Sequence, residues 1–420
     1  MFWATALFIF IYAIIVSEKI HRTIITLVGA ALFLLLGFIS QHEAISAIDF
    51  NTIGLLVGMM IIVGVLHHTG LFEYIAIKQA KAVKGDPWKL LLVFSLITAV
   101  GSAFLDNVTT VLLIVPVTLA IAKLLNIPAV PFIISEILIS NIGGTATLIG
   151  DPPNIMIGSA LGIGFMDFIF NLTPIVIVIF VVSMFYLKIV YSKHLVLQEG
   201  MQNKLAEMDE KKELKDLPLA KKCLFALGVT ILGFMLHQTL HLESATVAMS
   251  GAALLLLISG VKVEKALGSV EWPVIFFFLG LFIMVGALEH VGLIELMASK
   301  AIELTGGDLF VLAMVVMWGA GIGSAFLDNI PFVATAIPLL QTMNSQLGNV
   351  DFMPVWWALA LGACLGGNGT MIGASANVAA IGIAEEKGVK ISYLDYFKIA
   401  FPLTVLTLII ATGYVIWRYL

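Results

Sequence analysis

Seven consecutive residues, Gly101-Ser102-Ala103-Phe104-Leu105-Asp106-Asn107, return unchanged as Gly323-Ser324-Ala325-Phe326-Leu327-Asp328-Asn329, 222 positions further on. At the same offset, without a gap, Gly58 faces Gly280, Gly64 faces Gly286, His68 faces His290, Gly70 faces Gly292, Glu73 faces Glu295 and Lys78 faces Lys300; Pro116 then faces Pro338. After one inserted residue the register resumes, setting residues 143–154 (GGTATLIGDPPN) against 366–377 (GGNGTMIGASAN). The chain is therefore expected to consist of two copies of one unit, 1–191 and 223–420. Between them, 192–222 carries seven lysines and six acids without a long apolar run, and reads as a solvated linker.

A mean hydropathy of +1.07 and only 12% charged residues exclude a soluble fold for these units. Crossing a hydrocarbon core takes roughly 20 helical residues. Ten apolar stretches are expected to do so, at about 2–17, 24–40, 52–67, 128–158, 168–191, 223–240, 242–260, 272–288, 354–382 and 399–417. Two more, 87–125 and 309–343, are interrupted by Asp-Asn and read as re-entrant hairpins; 71–84 and 293–305 read as interfacial helices leading into them.

Each half then holds an odd number of spans, so the second enters from the opposite side and the repeat is inverted. Charge supports this. With both termini outside and the linker in the cytoplasm of a plasma-membrane protein, 20 of the 22 Lys and Arg residues fall inside, leaving Lys300 and Arg418. Making either hairpin a single crossing spoils that bias. The first span lacks a positive leading region and a small-residue cleavage site, so it is expected to remain in the mature protein.

Irregular backbone is tolerated at membrane depth only where it is buried in protein or lines a watery cavity. The hairpin tips and the Gly-Gly segments mark such places, and the half-helix ends there aim partial charges at a common centre. A carboxylate at that depth costs at least ~2.5 to 3.5 kcal/mol unless paired, hydrated or protonated. Asp106 and Asp328 are thus expected to bind a cation or carry a proton; as residues that precede a helix, they also make good N-caps. Asn107, Thr109, Thr110 and Asn329 offer neutral ligands beside them, with Pro331 and Phe332 standing where the first half has Thr109 and Thr110. Thr145, Thr147, Asn154, Asn368, Thr370, Ser375 and Asn377 supply similar groups from the broken helices, as ligands or as local caps. Asp151, opposite Ala374, is a third ligand or a turn cap. Glu136, in an apolar span, is a proton relay or a structurally paired acid. His67, His68 and His290 read as interface residues, and Cys364 as a thiophilic contact or a small packing residue.

The segments AFLDNVTTVLLIVPV and NIGGTATLIGDPPNIMIGSALG resemble the ArsB/NhaD branch of the ion transporter superfamily and, more distantly, the divalent anion/sodium symporters, whose tips carry Ser-Asn-Thr. The resemblance implies an all-α, elevator-type secondary transporter working as a homodimer, with the first two spans of each half as scaffold. Asp at both tips in place of Ser disfavours a dicarboxylate. The reading is sodium or lithium exchanged for protons by alternating access through Asp106 and Asp328. The alternatives are arsenite or antimonite efflux, or sodium- or proton-coupled anion transport. No cofactor is expected beyond the transported ion, and no nucleic-acid partner. The sequence has no nucleophile–base pair, metal-ligand cluster or phosphate loop, so it does not read as an enzyme. An ion gradient then supplies the energy, unless an ATPase subunit docks on the linker.

Overall fold

The computed structural model describes residues 1–17, 19–193, 195, 209–348 and 350–420, so most of the expected linker, 194 and 196–208, lies outside the described residues. The chain is all-helical. In the first half, α1 (Phe2–Ser17), α2 (Arg22–Leu35), α3 (Gln41–Ser46), α4 (Phe50–His67), α5 (Leu71–Ala82), α6 (Pro87–Leu105), α7 (Asn107–Leu124), α8 (Val130–Gly144), α9 (Pro152–Leu161) and α10 (Phe165–Tyr191) follow in order. The short α11 (Glu210–Glu213) precedes a second series: α12 (Leu217–Leu236), α13 (Ser244–Ser259), α14 (Val263–Leu267), α15 (Trp272–His290), α16 (Leu293–Thr305), α17 (Leu309–Leu327), α18 (Asn329–Leu347), α19 (Met353–Gly366), α20 (Ser375–Glu386) and α21 (Tyr393–Tyr419). Ten helices of one half recur, element for element, in the other. Eight helices among the described residues are long and apolar enough to span a membrane, three of them the hairpin arms α6, α7 and α17; α1, α2, α8, α13 and α19, on stretches expected to cross, are shorter apolar helices, and the stretches at 128–158 and 354–382 are broken into α8/α9 and α19/α20 as expected.

The two series exchange contacts reciprocally. α2 packs on α15 and α13 on α4. At the first seam a methyl on Gly280 would lie 2.9 Å from Thr26 Cβ, and at the second a methyl on Gly58 would lie 2.8 Å from Ala248 Cβ. These are the same two repeat positions with their halves interchanged, the signature of a two-fold relation. Together with α1 and α12 these helices make a frame. A second body holds the two hairpins and the broken helices: α6 packs on α8 and α17 on α19 within each half, while α20 packs on α7 and α9 on α18 across halves.

In each hairpin a single residue separates the two helices. Asp106 (φ 82°) and Asp328 (φ 62°) take this place in the left-handed region, where a side chain is disfavoured. Each broken helix turns back on itself so closely that a methyl on Gly150 would sit 2.5 Å from Gly144 O and one on Gly373 2.6 Å from Gly367 O, while the hairpin carbonyls Ser102 O and Ser324 O would lie 2.7 and 2.9 Å away. Only glycine fits there, and the hairpin tip is thereby held against the break.

Candidate functional site

Asp106 caps α7. Its Oδ1 accepts the Thr109 N–H and its Oδ2 the Thr109 hydroxyl, both at 2.7 Å, and Thr110 donates to the Asp106 carbonyl at 2.7 Å. Asp328 also accepts from the helix it precedes, at Ile330 N–H (3.0 Å), but its Oδ2 turns outward to Arg22 Nη1 (2.8 Å) and the Ser375 hydroxyl (3.2 Å). The same Arg22 nitrogen lies 2.6 Å from Ser375 Oγ, and the guanidinium sits 5.0 Å from the Phe277 ring centroid. At 28% and 14% side-chain exposure, the Arg22–Asp328 pair is sheltered enough that removing either partner leaves the other charge poorly compensated. It joins the first helix pair of the frame to a hairpin tip of the other half.

The pair faces a cavity of about 490 Å³, between the α1–α2 connection, the start of α15, the second hairpin tip and the start of α20. Glu271 also lines it, so two acids face one arginine. A second cavity of about 620 Å³ adjoins it through Glu271 and Leu112 and reaches Thr109 of the first tip.

The remaining predicted residues form a buried amide lattice behind the tips. Asn107 donates to Asn141 (2.9 Å); Asn141 donates to Asn368 (2.9 Å) and Asn377 (2.8 Å); Asn368 donates to Leu138 O (3.0 Å). Asn377 closes its own break by donating to Gly367 O and Thr370 O, as Asn154 does with Thr145 O and Thr147 O. Asp151 is fully buried and accepts from Asn329 through both oxygens, at 3.2 and 3.3 Å. Thr145, Thr147 and Thr370 direct their hydroxyls to the carbonyls of Asn141, Ala103 and Ala325. Those three hydroxyls therefore serve the helix breaks, while Asp328, Ser375 and Thr109 reach a cavity.

Glu136 stands apart. Its Oε1 accepts from Thr118 at 2.5 Å, its Oε2 has no partner among the described residues, and no hydrogen bond links it to the lattice. The Cys364 thiol lies 3.5 Å from Asn154 Oδ1. His67 and His68 line the second cavity, and His290 Nδ1 meets Glu43 Oε1 at 3.2 Å.

Three side chains of these cavities and this lattice are not singled out by the sequence. Arg22 reads as one of the charges of a loop; only its position at the start of an apolar helix hints otherwise. Glu271, just before a span, gave no signal. Asn141 was legible in principle, because the repeat sets it opposite Cys364, another polar atom in an apolar run.

Two interlocked copies of one helical unit, apolar helices broken at buried glycine-rich segments and acids at paired hairpin tips define a secondary membrane transporter. Comparison with known proteins gives the family. The sequence profile described as Citrate transporter matches residues 12–362, and the chain belongs to that family. It is 41% identical to an uncharacterized transporter of Mycobacterium tuberculosis over 99% of this chain and 98% of that one. It is 40% identical to a 46 kDa membrane protein of Mycobacterium leprae, with the same coverage. The human P protein is 32% identical over 98% of this chain, which spans 59% of that protein. Among solved structures, the YdaH transporter of Alcanivorax borkumensis, described as having an unusual topology, shares the fold: TM-score 0.62 over 95% of this chain and 98% of that one, at 13% identity.

Proposed function

We propose that this transporter carries a small carboxylate or related oxyanion together with a proton. Arg22 recognises the anion and Asp328 takes the proton. The supporting observation is the Arg22–Asp328 pair at the wall of a 490 Å³ cavity, a volume suited to a small organic molecule rather than a bare ion. A guanidinium fork matches a carboxylate, and here one of its nitrogens, Nη1, already holds the Asp328 carboxylate. A proton on Asp328 removes that competitor, the anion takes its place on Arg22 and Ser375, and the local charge stays balanced. The pairing of Asp328 with Arg22 also offsets the negative charge that argued against a carboxylate substrate. The family's description as citrate transporters points the same way.

A second reading, sodium or lithium exchanged for protons at Asp106 and Asp328, is favoured by two buried acids, Asp106 and Asp151, that have no basic partner among the described residues. In either reading the protein works as a homodimer in the plasma membrane, with termini outside and 192–222 inside. It is driven by an ion gradient and moves its elevator-like second body against the frame. The charge bias of the loops supports this orientation, the grouping of helices into frame and site body supports the elevator-like division, and the resemblance supports the homodimer.

Vesicles containing the protein and a pH-sensitive dye separate the readings. Citrate is expected to evoke proton entry that Arg22→Gln abolishes and that Asp328→Asn uncouples from citrate uptake. If citrate evokes nothing while sodium or lithium drives proton exit that is lost in Asp106→Asn and Asp328→Asn, cation antiport replaces the proposal. Arsenite uptake down an imposed gradient, without response to either, would favour the efflux alternative.

A further inference from the structure

We propose that the cavity ringed by His67, His68 and Lys265 is an anion-binding vestibule, through which a carboxylate or phosphate-like anion reaches the inner site. The repeat supplies the argument. His68 corresponds to His290, Lys265 to Glu43, Ser269 to Ala47 and Gly64 to Gly286. In one arrangement, His290 meets Glu43 at 3.2 Å, an opposite-charge pair when the ring is protonated. In the other, histidine faces lysine, and the space between α4, α14 and α7 stays open as a cavity of about 620 Å³.

Apart from Glu271, the ionisable side chains that line it, His67, His68 and Lys265, are all bases. The Lys265 ammonium has no ion-pair partner among the described residues. Partial burial first, and then the charges of Lys265, His67 and Lys215, push the His68 imidazole below its ordinary value. The hydroxyls of Ser269 and Thr109 line the wall, and the inner end is Glu271, shared with the cavity that holds Arg22. A basic lining concentrates anions and raises their rate of arrival. Glu271 at the inner end repels them, so the basic lining is where an anion pauses and Arg22 is where it is held.

This inference rests on the anionic substrate proposed above, and a binding measurement separates the two. Citrate and, separately, inorganic phosphate are titrated into the full-length protein carrying ring-labelled histidine. The His67 and His68 signals are assigned with His67→Gln and His68→Gln. Both anions are expected to shift these signals, with affinity about tenfold weaker in Lys265→Glu, where a pair like Glu43–His290 can form, and unchanged in Arg22→Gln. The milder Lys265→Gln should fall between. Absence of a shift, equal affinity in Lys265→Glu, or loss in Arg22→Gln would overturn the vestibule. Absence of citrate-driven proton flux in wild-type vesicles would instead overturn the transport reading and leave the binding result standing.

Discussion

Asp106 and Asp328 combine two local effects of opposite sign. A non-glycine residue at positive φ costs about 1–3 kcal/mol, and a side-chain cap returns about 1 kcal/mol. Asp106→Gly should therefore change stability little, within about 1 kcal/mol, because strain and cap are lost together; thermal unfolding in detergent checks this, and a loss above about 3 kcal/mol would refute it. Transport in that variant should nonetheless vanish if the carboxylate is used. At Glu43 the hydrogen bonds from Ser40, side chain first and backbone second, hold the carboxyl below its ordinary range, with His290 adding to the effect. A depressed value in the folded state contributes stability above the unfolded carboxyl range and loses it as pH falls through the folded value. Unfolding midpoints followed into acid should show that loss in the wild type, and a flatter acid limb in Glu43→Gln.

The broken helices depend on close approach. Gly150→Ala or Gly373→Ala forces a methyl against carbonyls on two sides and should cost about 1–3 kcal/mol, with the larger effect on transport because the tip is displaced. Cysteine accessibility at the tips, with and without the substitution, reads that displacement. These breaks are plain in the sequence: Gly-Gly weakens the end of one helix, Pro152-Pro153 suits only the start of the next, and the repetition of the glycine pattern at 366–377 removes coincidence. The hairpins were equally plain, since Asp-Asn in the middle of an apolar run has no other economical place. What escaped was long-range. Nothing local in Arg22 says that it meets a residue 306 positions away, and nothing in Thr145 or Thr147 says that its hydroxyl is spent on a carbonyl rather than turned to a cavity. Pairing of that kind is set by how whole helices pack, and the sequence pattern records only which faces are apolar.

For the whole molecule, the reciprocal seams make a symmetric prediction. Gly58→Leu and Gly280→Leu press on equivalent places, Ala248 and Thr26, and should lower stability by similar amounts, about 1–3 kcal/mol each. A large inequality in their unfolding midpoints would show that one seam dominates the frame. The amide lattice carries a further consequence, concerning time. Asp151 is fully buried and accepts from Asn329, which is synthesised 178 residues later. At roughly 5–20 residues per second, that interval is about 9–36 s. Throughout it, the newly made first half must shelter that carboxylate without Asn329, with Asn107 the amide its own half can offer, until its sibling arrives from the ribosome.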